Sequence, residues 1–301
     1  MKKVVVLLSS YNGEKYIEEQ IESIFSQTYS NIELVVRDDG STDNTCAILE
    51  KYEKERGIKF IRGKNVGFIK SFLSLIKQAP PADYYAFSDQ DDVWMPEKIG
   101  YAVEELEKAD NSKPVLYFSN YDFYDGNMNY IGHGKDLKRG PSFRNSLVDC
   151  ISLGINSVMN KTAKDIICKD IPKHCCGHDW WTYMVCAGLG EVIYDHRYTV
   201  KYRRTGENVS PGGKEFIKMQ LWRIKKFFVN NYFNNVHKML LEYNRLYGSS
   251  LSADDRKVLS MFVYNKYNFK KAVKKTFYPK FFRQGIADEL MLRAIFLIGK
   301  L

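Results

Sequence analysis

The chain has 301 residues, 45% hydrophobic and 27% charged, which excludes a disordered or collagen-like chain and allows one large domain or a domain with an appendage. No apolar run reaches the ~20 residues that cross a bilayer. The apolar stretch after Met1-Lys2-Lys3 is interrupted by Tyr11-Asn12-Gly13-Glu14 without a small-residue cleavage site, so a first core strand and a cytoplasmic location are expected.

The net charge of +9 is uneven: residues 215–301 hold 17 Lys and Arg against 6 Asp and Glu, and the rest is close to neutral. The C-terminal part therefore reads as a distinct surface. Residues 3–9 read as a buried strand, and residues 14–27 as a helix with Ile17, Ile21, Ile24 and Phe25 at helical spacing. Residues 32–37 form a second strand. It runs into Asp38-Asp39-Gly40-Ser41-Thr42-Asp43, a turn whose side-chain oxygens also suit the cap of a helix beginning near Asn44. A strand over 58–61, a helix over 68–78, a strand over 84–88 and a helix over 96–108 follow. Strand alternating with helix predicts an α/β domain with a mostly parallel sheet flanked by helices.

Beyond residue 114, Val115–Tyr124 reads as a strand and 125–141 as a loop rich in Gly, Asn and Asp. Residues 142–170 read as helical with an interruption near Gly154. His178–Ala187 reads as a helix, Val192–Tyr202 as a strand, and Arg203–Gly213 as a polar loop suited to a lid. From Phe216 the pattern is helical, aromatic and basic, first in Phe216, Met219, Trp222 and Phe227, later in Phe277-Tyr278-Pro279-Lys280-Phe281-Phe282-Arg283. The six cysteines (Cys46, Cys150, Cys168, Cys175, Cys176 and Cys186) are irregularly spaced and read as reduced thiols. His174-Cys175-Cys176-Gly177-His178 invites a zinc reading, but adjacent cysteines are poor co-ligands and no second pair stands at zinc spacing.

The segment Phe87-Ser88-Asp89-Gln90-Asp91-Asp92-Val93-Trp94 places three carboxylates within four residues, directly after an apolar run. Like charges this close resist ionising together, so the cluster points to a cation. A hard ion such as Mg²⁺ takes one or two carboxylates and completes its shell with water and phosphate oxygens. The plain alternative is an acidic turn capping the helix from Pro96. In open α/β sheets ligands sit beyond the carboxyl ends of the strands. Ser9-Ser10-Tyr11, Asp38-Asp39 and Asp89–Asp92 all fall at such ends, which places three polar constellations on one rim.

Several motifs then coincide in order: Ser9-Ser10-Tyr11-Asn12-Gly13, Val35-Val36-Arg37-Asp38-Asp39-Gly40-Ser41-Thr42-Asp43, Asn65-Val66-Gly67, the acidic segment, Gly177-His178-Asp179-Trp180-Trp181, and Tyr202-Arg203-Arg204-Thr205-Gly206-Glu207-Asn208. Over about residues 3–213 the chain resembles a family 2 glycosyltransferase of the GT-A fold, and its His-Asp-Trp-Trp and Tyr-Arg elements resemble the bacterial rhamnosyltransferase branch. The resemblance implies a dTDP- or UDP-linked sugar donor, inversion at the anomeric carbon, and Mg²⁺ or Mn²⁺. It implies that Ser10 and Tyr11 line the base and ribose pocket, that Asp39 accepts from the pyrimidine ring N–H with Asp38 beside it, and that Asn65, Gly67 and Lys70 line the nucleotide site. Asp89 and Asp91 match the family's Asp-x-Asp pair, with Asp91 the direct metal ligand. Asp179 matches the catalytic carboxylate, Trp180 or Trp181 the acceptor wall, and Arg203 or Arg204 a positive charge at the lid. Relatives often carry histidine where this chain has Thr205, which is no strong ligand.

The implied organisation is a GT-A catalytic domain over 1–213, split into a nucleotide-binding half (1–113) and an acceptor half with lid (114–213), followed by a basic, aromatic, helical extension over 214–301. In glycosyl transfer the departing diphosphate gains negative charge, which a divalent cation stabilises. A carboxylate on the opposite sugar face must take the acceptor hydroxyl's proton.

Each assignment has a structural rival. Asp38, Asp39 and Asp43 suit a turn, Asp179 suits a helix cap, and the two tryptophans suit a core. The acceptor expected from the resemblance is a glycan or lipid-linked glycan of a growing surface polysaccharide, with the enzyme peripheral at the inner face of the cell membrane. For the basic extension an anionic membrane, nucleic acid and a homodimer contact are the competing readings, and the motifs favour the membrane. A nucleotidyltransferase using the same carboxylates, or a non-catalytic basic binding module, are the alternatives to glycosyl transfer.

Overall fold

Successive side chains of a strand point to opposite faces, and the first strand shows what each face meets. In the computed structural model, which describes residues 1–134, 136–205, 232–264, 268–299 and 301, Val5 and Leu7 enter one hydrophobic core while Val4, Val6 and Leu8 enter another. A strand apolar on both faces belongs to a sheet covered on both sides.

The elements in chain order are β1 (Val4–Ser10), α1 (Ile17–Phe25), β2 (Ile32–Asp38), α2 (Thr45–Arg56), β3 (Lys59–Arg62), α3 (Phe68–Gln78), β4 (Tyr84–Ser88), β5 (Val93–Trp94) and α4 (Lys98–Lys108). The second part continues with β6 (Val115–Asp125), β7 (Tyr130–His133), α5 (Phe143–Ser146), β8 (Ser157–Asn160), α6 (Lys161–Lys169), α7 (His178–Leu189) and β9 (Glu191–Arg204). The helices α8 (Tyr232–Tyr247), α9 (Ala253–Ser260), α10 (Phe269–Thr276) and α11 (Ile286–Leu297) close the described chain.

The sheet runs β3-β2-β1-β4-β8-β6-β9-β5, with β7 on β6. Its first half is parallel, β1 pairing with β2 and β4, and β2 with β3. The second half is mixed: β8 lies antiparallel between β4 and β6, β9 is parallel to β6, and β5 is antiparallel to β9. The α/β architecture expected from the strand–helix alternation is therefore present, with a sheet less parallel than predicted. The difference comes largely from β8, which lies inside a stretch that reads as helical. Four residues buried on both faces show no period-2 alternation, so burial leaves no trace that separates them from the helix beginning at Lys161. Similarly, β7 falls in the segment read as loop.

One face of the sheet carries α1, α2 and α4 through Ile17, Leu49 and Ile99. The other carries α3, α6, α7 and the C-terminal helices, where Val236, Met239 and Tyr243 of α8 share a core with Trp181 and Met184 of α7. The Tyr243 hydroxyl donates to the Met184 carbonyl at 3.1 Å, and Arg283 pairs with Asp149 at 2.8 Å. The helices from Tyr232 onward thus complete the core of the preceding part. The predicted boundary at 213/214, the lid from Gly206 onward and the run Phe216–Phe227 lie outside the described residues.

Candidate active site

Register places the three polar constellations together. Ser10 at the end of β1 stands opposite Asp38 at the end of β2, and Leu8 stands opposite Ser88 at the end of β4. The turns that follow are therefore neighbours on one rim, and side chains tie them to one another. Gln90, inside the acidic turn, accepts from the Tyr11 N–H at 2.8 Å and donates to the Tyr11 carbonyl at 2.9 Å. Gly13 lies so close that a Cβ there would meet the Gln90 amide at 2.2 Å, so a side chain at that position would break the clamp. Asn12 accepts from the Thr42 N–H at 2.9 Å and binds the β1 turn to the β2 turn.

The two aspartates after β2 do different things. Asp38 turns inward and is nearly fully buried. One oxygen accepts from the N–H groups of Gly40 (3.0 Å) and Ser41 (2.9 Å). The other accepts from the hydroxyls of Ser10, at 3.3 Å, and Ser41. Both Asp38 and its partner Ser10 are thus occupied in shaping the turn, and their part in any nucleotide pocket is indirect. Asp39 reaches across to the loop before α3. It accepts from the Gly67 N–H at 2.9 Å and the Val66 N–H at 3.0 Å, and from the Arg37 guanidinium at 2.5 Å. Gly67 adopts a left-handed φ of 83° at the start of α3, a conformation glycine takes at little cost. Asn65 accepts from the same Gly67 N–H at 3.2 Å. Tyr11, Asn65, Gly67 and Lys70 are exposed around this loop.

The acidic turn is held from below. Arg203, on β9, is almost wholly buried. Its backbone N–H donates to Asp92 Oδ1 at 3.0 Å, and its guanidinium donates to the carbonyls of Asp91 (2.8 Å) and Gly126 (3.1 Å) and to the Glu19 carboxylate. The guanidinium also lies 4.7 Å from the centre of the Tyr16 ring. The pairing of Trp94 with Val200 fixes β5 against β9 and with it the turn's far end. Asp92 is fully buried with Oδ2 lacking a partner among the described residues. Asp89 and Asp91 are half-buried. Burial, the Asp91 charge and the Asp179 charge push the Asp89 carboxyl up to about 7. Burial likewise raises Asp91, and burial with the charges of Asp91 and Asp89 raises Asp92 well above the carboxylate range.

Asp179 stands in the first turn of α7, where its Oδ1 accepts from the Trp180 N–H at 2.8 Å. A carboxylate is stabilised by the positive end of a helix. The neighbouring His178 ring packs 4.7 Å from that of Phe87, which brings this helix end to the end of β4 and the acidic turn, although the two lie far apart in the sequence.

A model of the family described as "Glycosyl transferase family 2" matches residues 5–184. The chain belongs to glycosyl transferase family 2. An uncharacterized glycosyltransferase of Haemophilus influenzae is 30% identical over 77% of this chain and 75% of its own length. The dTDP-rhamnosyl transferase RfbG of Shigella flexneri is 31% identical over 67% of this chain and 72% of its own. Among solved structures, S. aureus TarS 1-349 in complex with UDP-GlcNAc matches 98% of this chain and 90% of its own length, with a TM-score of 0.58 and 16% identity. A longer TarS chain is covered to 48% with a TM-score of 0.53. At these identities the likeness concerns the fold, which is the GT-A fold expected from the motifs.

Membership makes this chain a glycosyltransferase and sets aside the nucleotidyltransferase and non-catalytic alternatives. The donor set fits the divalent cation such enzymes use. The Asp89 carboxylate accepts no hydrogen bond among the described residues, and acids crowd around it. Among those residues no three His, Cys, Asp or Glu side chains could together hold one ion. A cation here would therefore be bound by Asp89, Asp91 or both, with phosphate and water oxygens completing the shell.

Two assignments of the glycosyltransferase motifs are corrected. Trp181 is fully buried against Tyr243 and Tyr247, with ring centres 5.8 and 6.2 Å away. It is core rather than acceptor wall, because its position on α7 points into the seam with α8. Trp180 is also buried and donates its indole N–H to the Ser146 carbonyl at 2.7 Å. Arg203 is no lid residue but the underside of the acidic turn, since β9 runs through Arg204 and turns residue 203 inward. Arg204 remains partly exposed, with Phe123 and Tyr202 rings within 5.6 Å.

Sequence reasoning also passed over Gln90, Arg37, Glu19 and Lys98. Gln90 stands inside the acidic motif and was legible there. Lys98 was not: its amine is fully buried 4.4 Å from the Trp94 ring centre, and burial pushes it down to about 7.

Proposed function

We propose that this enzyme transfers a sugar, with inversion, from a nucleotide-sugar donor to a hydroxyl of a growing, lipid-linked bacterial surface polysaccharide, working at the inner face of the cell membrane. L-Rhamnose from dTDP-rhamnose is the first candidate, supported by the identity to RfbG. The UDP and UDP-GlcNAc complexes of TarS support a nucleotide-sugar donor.

The observation that carries the reading is the meeting of the start of α7 with the end of β4, where the rings of His178 and Phe87, next to Asp179 and two residues before Asp89, lie 4.7 Å apart. Inverting transfer needs a stabiliser for the departing diphosphate and a proton acceptor for the attacking hydroxyl, near each other but from different elements. In this reading Asp89 and Asp91 hold the cation that stabilises the leaving group. Asp179 takes the acceptor's proton. Tyr11 and Asp39 line the base pocket with Asn65, Gly67 and Lys70, while Ser10 and Asp38 shape it. Residues 1–113 bind the nucleotide and 114–213 present the acceptor.

The test is a thermal-unfolding screen of dTDP-rhamnose, UDP-GlcNAc and other nucleotide sugars, each with Mg²⁺ or Mn²⁺. A donor at ~100 times its dissociation constant adds ~2.7 kcal/mol. Protection by dTDP-rhamnose above all others supports the rhamnose reading, and preference for a UDP-sugar replaces it. No protection by any nucleotide sugar overturns the proposal.

A further inference from the structure

Helices on a protein surface turn polar residues outward. The last helix does not. On α11 the exposed positions are Ile286, Ala287, Leu290, Ala294, Leu297 and Ile298 at its C-cap, spaced so that they share one side of the helix. The opposite side is apolar as well, with Leu292, Ile295 and Phe296 in the core. The helix's buried acid, Glu289, is satisfied internally by the N–H groups of Phe282 (2.9 Å) and Arg283 (2.7 Å) and by Arg293 (2.8 Å). The preceding helix, α10, packs on α11 through Thr276, whose carbonyl accepts from Arg293 at 2.6 Å. Its exposed positions are Phe269, Lys270 and Lys274, with Phe277 following at its C-cap.

This concentration is local. Of the fourteen large hydrophobic residues exposed among the described residues, seven lie between 269 and 298, with Phe277 at 75% and Leu290 at 65%. The fully exposed charge there has one sign, Asp288 being only partly exposed. Within 268–299 the exposed charged residues are Lys270, Lys274 and Lys280, and no acidic residue is exposed.

We infer that the α10–α11 hairpin docks on an anionic phospholipid surface, the outer side of α11 entering the acyl boundary and the three lysines meeting the headgroups. An apolar helix face accompanied by exposed lysines on the adjoining helix and turn is the composition that binds in the plane of a membrane interface. A helix of twelve residues is ~18 Å long, too short to cross a ~30 Å hydrocarbon core, so it lies flat. Charge decides between lipid and a second copy of the chain. A second copy would set lysines against lysines, whereas anionic headgroups neutralise them. The inference rests on the reading of this chain as an enzyme working at a membrane. Vesicle binding and donor binding are therefore scored separately, so that either can fail alone.

The experiment is co-sedimentation of the full chain with vesicles of phosphatidylcholine alone and of phosphatidylcholine mixed with phosphatidylglycerol. Binding is expected to the mixed vesicles and to weaken with salt. The Lys270→Gln/Lys274→Gln pair should weaken it roughly thirtyfold, from ~1 kcal/mol per lysine. Leu290→Glu should abolish it. All these positions are exposed, so both variants should keep the unfolding temperature and donor protection of the parent, which separates a lost surface from a lost fold. The inference is overturned if the parent stays in the supernatant with every vesicle, or if both variants sediment like the parent. It is equally overturned if Leu290→Glu converts a dimer to a monomer in analytical ultracentrifugation without changing vesicle binding, which would make the face an interface between copies.

Discussion

Asp179 at the start of α7 sits close enough to Asp89 at the end of β4 that its charge, after burial and the charge of Asp91, helps push the Asp89 carboxyl up to about 7. Two acids from separate halves of the chain thus share one site. An enzyme that must neutralise a leaving group and deprotonate a nucleophile needs such an arrangement, and it is costly to the fold unless a cation or a ligand charge relieves it.

Replacing Asp179 by Asn removes the proton acceptor while keeping shape. The chemical step should slow by ~10²–10⁴-fold, with donor affinity unchanged, as read by single-turnover transfer and by nucleotide titration. Equal loss of donor affinity and turnover would instead make Asp179 part of the donor pocket.

Asp39 holds the loop that precedes α3, so its removal should be felt twice. Asp39→Ala leaves the Val66 N–H without its acceptor, the Gly67 N–H with Asn65 alone, and the Arg37 guanidinium without its carboxylate. Stability should fall by ~1–3 kcal/mol, and nucleotide affinity should fall with it. Chemical denaturation and calorimetric titration of the donor nucleotide check both halves. Lost affinity at full stability would show that Asp39 serves the ligand alone.

Arg203 is the buried cation beneath the acidic turn. Arg203→Met would leave the carbonyls of Asp91 and Gly126 without their donor, costing ~1–3 kcal/mol for each group left unsatisfied, while the exposed Glu19 carboxylate returns to water. Arg204, which is partly exposed, should tolerate the same change far better. Denaturation midpoints of the two variants, side by side, test the asymmetry, and similar losses at both positions would refute it.

His178 is buried, stacked on Phe72 with ring centres 3.8 Å apart, and without a hydrogen-bond partner for either ring nitrogen among the described residues. Burial pushes it down to about 4, partly opposed by Asp179. Below 6.5 the unfolded chain takes up the proton first, so the stability carried by neutral His178 is complete above pH 6.5 and is lost progressively as pH falls from 6.5 to about 4. That loss amounts to about 3 kcal/mol at pH 4. His178→Phe keeps the stack and cannot titrate. Its unfolding temperature should move ahead of the parent's as pH falls from 6.5 to 4. A constant gap across that range would rule the histidine out as the cause.

The first half of the fold was legible because its signals are local. Apolar strands, helical spacing in Ile17–Ile24 and turn residues at the strand ends are properties of neighbouring residues, and the parallel βαβ order follows from them. Asp89, Asp91 and Asp179 could be named from their motifs for the same reason. The strand β8, the burial of Trp181, the inward turn of Asp38 and the position of Arg203 under the acidic turn belong to tertiary structure. Each depends on which distant element packs opposite: β4 and β6 around Ser157–Asn160, α8 against α7, Ser10 across from Asp38, Glu19 and Gly126 around Arg203. A side chain's type fixes what it can bond. Only the assembled sheet and the helices seated on it decide whether that bond is spent inside the protein or left facing a ligand.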